Sequence, residues 1–134
     1  MEVRPVNILL VDDSEAWCAA LKLALQRLGF TVRWVGTVED GMVALSEWDV
    51  DCIISDFTMP GLSGGDLFDH VKDQYPDLID NGRYIFVTSS AETVKKHLDG
   101  LDIPIREKPI PLSEVLDLVT NKKWEVRLLG KPKE

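Results

Sequence analysis

Apolar residues fall into two rhythms along this chain. Short unbroken runs occupy residues 6–11 (VNILLV), 31–35 (TVRWV), 51–55 (DCIIS), 83–88 (RYIFVT) and 103–105 (IPI). Runs of this length, rich in β-branched and aromatic residues, predict buried strands. Between them apolar positions recur at helical spacing. Trp17, Ala20, Leu21, Ala24, Leu25 and Leu28 mark one helix, capped by Asp13 or Ser14 and stopped by Gly29. Thr37 with Asp40 has capping-box spacing and opens a helix to about Glu47. Ser63 with Asp66 opens another, with Leu67, Phe68 and Val71 inward. Residues 76–82 read as a loop. Ala91, Val94 and Leu98 mark a short helix. Pro111 fits the first turn of a last one, with Leu112, Val115, Leu116 and Val119 inward.

Five strands alternating with helices predict a parallel sheet with helices on both faces and right-handed crossovers. Sheets of this kind bind ligands outside the carboxyl ends of the strands, where strand order reverses. The polar residues at those ends are Asp12 and Asp13, Asp56, Thr88, and Lys108 followed by Pro109.

Composition narrows the chemistry. The 134 residues, 45% of them apolar, suit one ordinary domain with a real core. A formal charge of −8 argues against general nucleic-acid binding and leaves a cation or a basic partner as the better fit. Cys18 and Cys52 lack metal-ligand spacing and read as inert core thiols in a reducing compartment. No leader pattern opens the sequence, and no apolar run nears the ~20 residues that cross a bilayer. A cytoplasmic protein is expected, with no membrane partner.

Three carboxylates converging on one rim repel each other. A hard divalent cation relieves that conflict, and Mg²⁺ is commonly held by one or two carboxylates plus a phosphate. One aspartate is then free to act as a nucleophile and form an aspartyl-phosphate. Lysine, a hydroxyl and the cation are the groups that offset charge on a transferring phosphoryl.

The stretches LLVDDSE, IISDFTMPGLSG, FVTSSA and REKPI, in this order at strand ends, resemble the receiver domains of two-component response regulators over roughly residues 6–120. The resemblance implies a flavodoxin-like (βα)5 doubly wound sheet in the order 2-1-3-4-5, with a receiver domain over residues 1–121. It implies Asp56 as phosphoacceptor, and Asp12, Asp13 and Asp56 with the Phe57 backbone carbonyl as Mg²⁺ ligands. Thr88 becomes the switch hydroxyl, Lys108 the phosphoryl-binding lysine, and Lys108–Pro109 a cis peptide. A histidine kinase or histidine phosphotransfer protein would be the donor and another protein the output. A phosphorylation-linked homodimer is a further partner in keeping with the family.

The sequence also departs from the receiver pattern. Ile105 stands where receivers usually carry Tyr or Phe, so an aromatic switch is missing in its usual form. Ser89 replaces a common Ala or Gly, and Thr58 and Ser90 hold positions that tune access of water. His70 and His97 are expected at the surface without a paired acid, and Trp17, Trp34 and Trp48 as packing residues. Residues 122–134 form a basic tail in which Trp124, Val126 and Leu128 alternate, as in a short strand, a docking segment or a solvated end.

Three functions compete. One is a phosphorylation switch acting through the last two helices and fifth strand, whose only chemistry is self-phosphorylation and self-dephosphorylation. Another is a Mg²⁺-dependent aspartyl phosphatase, disfavoured because Thr58 occupies the place of its general acid. The third is a receiver-like scaffold that works without phosphorylation. The chain either acts alone or is one part of a larger signalling protein.

Overall fold

Alternate residues of the first strand point to opposite sides: Ile8 and Leu10 enter one apolar cluster, Leu9 and Val11 the other. Each fully buried aliphatic side chain contributes roughly 1.5–3 kcal/mol relative to exposure. A strand covered on both faces gains at every position, which is why the runs are unbroken rather than alternating.

The structure is a computed structural model that describes residues 5–122 and 124. Among the described residues β1 (Asn7–Val11), β2 (Thr31–Val35), β3 (Cys52–Ser55), β4 (Tyr84–Thr88) and β5 (Ile105–Glu107) form one parallel sheet in the order β2-β1-β3-β4-β5. On one face lie α1 (Glu15–Arg27) and α6 (Leu112–Thr120), packing Cys18, Leu21, Leu25, Val115 and Val119 on Ile8, Leu10, Ile54 and Ile85. On the other, α2 (Val38–Glu47), α3 (Gly64–Gln74) and α5 (Ala91–Leu98) cover Leu9, Val11, Ile53, Tyr84 and Phe86. No helix among the described residues is long and apolar enough to cross a membrane.

Helix starts follow local chemistry. Ser63 and Asp66 form a full capping box at α3, each side chain bonded to the other's backbone N–H. At α2 only half of that exchange exists, with the Thr37 hydroxyl accepting the Asp40 N–H at 3.1 Å. Ser14 is the N-cap of α1 but makes no side-chain cap bond.

Several expectations shift. Residues 76–82 contain a helix, α4 (Pro76–Asp80), which begins on proline and sets Leu78 and Ile79 against the core. A single turn of that length is too short to show helical periodicity. The fifth strand starts at Ile105, because ladder pairing begins with Phe86 opposite Ile105. Cys18 rather than Ala20 faces inward on α1, and Leu28 is exposed. The helix ends at Arg27, and Gly29 turns the chain at φ +99°. Pro111 is the N-cap of α6 rather than part of its first turn. Of the expected tail, Lys122 and Trp124 are described; the rest lies outside the described residues.

Candidate functional site

Register delivers the site. Val11 pairs with both Val35 and Ser55, so Asp12 and Asp56 leave the sheet side by side. The ladder continues one step past the strands: Asp56 N–H donates to Val11 O at 3.0 Å, and Asp12 N–H to Val35 O at 3.2 Å. At the far side Lys108 N–H donates to Thr88 O at 2.9 Å. The backbone therefore aims these side chains before any of them interacts.

Asp12 and Asp56 are treated alike. One oxygen of each accepts a neighbouring backbone N–H: Ser14 onto Asp12 Oδ1 at 2.8 Å, Phe57 onto Asp56 Oδ1 at 2.6 Å. The other oxygen of each accepts from Lys108 Nζ, at 2.8 Å for Asp12 and 3.2 Å for Asp56. Both aspartates are buried, 2% and 7% exposed, whereas Asp13 is exposed. One carboxylate oxygen from each of Asp12, Asp13 and Asp56 falls within 4.8 Å of the others.

Burial pushes the Asp12 carboxyl above its ordinary range; the Lys108 and Ser14 hydrogen bonds oppose this, and the Asp56 charge adds to it. For Lys108, burial alone would depress the ammonium. The hydrogen bond to Asp12 and the charges of Asp12 and Asp56 outweigh it, so its pKa lies above that of an ordinary lysine. Like charges about 5 Å apart repel by roughly 3 kcal/mol at an effective dielectric near 20. Three carboxylates against one ammonium leave two negative charges uncompensated. Hard oxygen donors with that surplus fit one Mg²⁺, which prefers carboxylates and retained waters.

The Phe57 carbonyl accepts Gly64 N–H at 2.6 Å. A Cβ on Gly64 would lie 2.0 Å from the Asp56 carbonyl oxygen, so glycine is needed for α3 to approach this closely. Gly61 turns the intervening loop at φ +80°.

Thr88 is fully buried, and its Oγ1 accepts Ser90 N–H at 3.0 Å. Ser90 Oγ and Thr58 Oγ1 share a bond of 3.2 Å, so the loops after β3 and β4 touch beside Asp56. Ser89 is exposed. Ile105 is half-buried against the core. The Lys108–Pro109 bond is cis.

His97 differs from expectation. Its Nε2 lies 2.9 Å from Asp69 Oδ1, and its ring meets Phe57 edge-on at 5.6 Å between centroids. The pairing joins α5 to α3 across 28 residues of sequence, so no local spacing signals it. All three tryptophans expected to pack do more: Trp34 Nε1 donates to Asp12 O at 2.7 Å, the Trp17 ring lies 4.9 Å from Lys108 Nζ, and the Arg33 guanidinium lies 4.8 Å from the Trp48 ring centre. Cys18 and Cys52 are buried free thiols, pushed up to about 12 chiefly by burial, and therefore poor nucleophiles.

The whole arrangement lies within residues 8–120, which match the response regulator receiver domain family. The chain belongs to that family. This receiver is 33% identical to the two-component response regulator ORR13 of Oryza sativa subsp. japonica over 113 residues, 81% of this chain and 91% of that protein. It is 26% identical to the transcriptional regulatory protein QseB of Haemophilus influenzae, covering 82% of this chain but 49% of QseB. The receiver thus spans about half the length of the QseB proteins it matches. Its fold is shared with the response regulator TrrA of Thermotoga maritima, solved in complex with Mg²⁺-BeF, at a TM-score of 0.72 and 21% identity, covering 88% and 99% of the two chains.

Proposed function

We propose that this receiver is a cytoplasmic phosphorylation switch that accepts a phosphoryl group on Asp56 from a histidine kinase or histidine phosphotransfer protein. The observation that carries the reading is Lys108 Nζ bonded at once to Asp12 and Asp56. A carboxylate oxygen of Asp56 attacks phosphorus, the P–N bond to the donor histidine breaks, and an acyl phosphate forms. The departing imidazole keeps the bonding electron pair. Lys108 is one short shift from the incoming phosphoryl oxygens, where its charge offsets theirs. Asp12, Asp13 and Asp56 would hold Mg²⁺, with the Phe57 carbonyl reaching it only through the lone pair Gly64 leaves. Mg²⁺ there would neutralise phosphoryl charge.

The change leaves the site through Thr88. Its hydroxyl donates to a phosphoryl oxygen while still accepting Ser90 N–H, and through that bond draws the loop at residues 89–91 inward. With Ile105 in place of an aromatic ring, that loop rather than a ring flip carries the change to α5, β5 and α6. An altered surface there changes binding of an output protein or a second copy of the chain.

The test is amide NMR with Mg²⁺ and beryllofluoride as phosphoryl mimic. Shifts at residues 12, 56–58 and 88–91 are expected. A mimic that binds at Asp56 but leaves residues 88–106 unchanged removes the proposed route. Failure of the mimic to bind removes the assignment of Asp56.

A further inference from the structure

Lys108 poses a positioning problem. It follows the edge strand β5, yet its ammonium must reach Asp12, 96 residues earlier in the chain and beyond β4 and β3 in the sheet. Lysine has a long flexible stem and a point charge, so two hydrogen bonds leave it considerable freedom. Two of its three N–H donors are used on Asp12 and Asp56. The side chain is only 22% exposed, so something besides the carboxylates covers it.

Trp17 is that cover. The indole stands in the first turn of α1, half-buried against the apolar cluster beneath α1 and α6. Its ring centroid is 4.9 Å from Lys108 Nζ, inside the range in which an aromatic face attracts a cation. The face has no lone pair that competes with Asp12 or Asp56 for the remaining N–H, and it cannot take a proton from the ammonium. It restrains the charge without neutralising it, so the ammonium can still transfer from carboxylate to phosphoryl oxygen. An aliphatic side chain of similar bulk would fill the same space and exclude water but would lack the attraction.

We propose that Trp17 is the positioning residue for Lys108, holding the ammonium over the Asp12–Asp56 pair through the indole face. The proposal rests on the reading that Lys108 serves phosphoryl transfer at Asp56. It gives a specific task to a side chain that the sequence marks only as packing.

The experiment compares Trp17→Phe, Trp17→Leu and Lys108→Ala singly, and Trp17→Leu combined with Lys108→Ala. Phosphorylation by acetyl phosphate with Mg²⁺ is measured alongside urea unfolding of the metal-free proteins. Trp17→Leu should slow phosphorylation roughly three- to tenfold, the equivalent of a cation–π contact. Trp17→Phe should stay within about twofold of the native rate, since its ring keeps a π face. In the Lys108→Ala background Trp17→Leu should add nothing to the rate loss, and its cost in unfolding midpoint should shrink to the part due to lost packing on the apolar cluster, because residues that act through one contact are coupled. Equal rates for Leu and native protein, equal losses for Leu and Phe, or rate effects that multiply in the double variant would overturn the proposal. If native protein takes no label, the Asp56 reading falls. The unfolding cycle then decides alone whether Trp17 and Lys108 are coupled.

Discussion

Buried aspartates stand at both ends of the sheet and do different things. At the amino end Asp51, 1% exposed, accepts Asn7 N–H at 2.8 Å, and its own N–H donates to Asn7 O at 2.8 Å. Asn7 Nδ2 adds a bond to the Asp49 carbonyl, also at 2.8 Å. This carboxylate clasps the starts of β1 and β3. At the carboxyl end Asp12 and Asp56 stand side by side, repel one another, and share one lysine. Burial alone does not separate the two roles. Crowding does: the clasp is an exchange of hydrogen bonds, whereas the cluster keeps a negative surplus that a divalent cation would relieve.

Substitutions at each end sharpen that contrast. Short of replacing Asp56 itself, Lys108→Ala carries the largest expected effect on rate, slowing labelling by acetyl phosphate roughly a hundredfold, the usual cost of removing a preorganised charge-stabilising donor. A rate within twofold of native would dissolve the picture of the carboxyl end. Gly64→Ala should both slow labelling and destabilise the fold by about 1–3 kcal/mol, because its Cβ meets the Asp56 carbonyl and the backbone must move. Urea unfolding and label kinetics on the same sample check both halves. Asp51→Asn should lose about 1–3 kcal/mol of stability through its impaired hydrogen bonding while keeping the native labelling rate.

The smallest effect is on pH dependence. The folded pKa of Asp12 lies above the unfolded value near 3.8, so the folded state binds a proton more readily. The resulting stabilisation is complete below about 3.8 and is lost as pH rises through the folded pKa. Metal-free native protein should therefore gain stability relative to Asp12→Asn as pH falls from neutrality towards 4. Urea midpoints at stepped pH measure the difference, and parallel profiles would contradict it. Lys108 has the same sign in another window: its contribution persists below about 10.5 and fades at higher pH.

Much of this contrast was legible in the chain. The five apolar runs located the strands because burial on both faces leaves no polar alternation, and Asp12, Asp56, Thr88 and Lys108 then stood out at their ends. Sequence patterns failed where structure is short or contact is distant. Five residues of α4 carry no period, and β5 starts where Ile105 finds Phe86, not where its apolar run begins. His97 with Asp69, Trp34 with the Asp12 carbonyl, and Trp17 with Lys108 join separate elements. Such pairs exist only once the sheet order places helices beside strand ends. Asp51 reads as the first residue of the third strand, which starts instead at Cys52, and nothing in DCIIS distinguishes its clasp from solvent exposure.

The most direct measurement sets the two ends against each other. Native protein, Asp51→Asn and Asp56→Asn are incubated with acetyl phosphate, with and without Mg²⁺, and covalent label is counted by intact-protein mass spectrometry. The account predicts one Mg²⁺-dependent phosphoryl group on native protein and on Asp51→Asn, and none on Asp56→Asn. Equal labelling of Asp56→Asn, or loss of label on a folded Asp51→Asn, would contradict it.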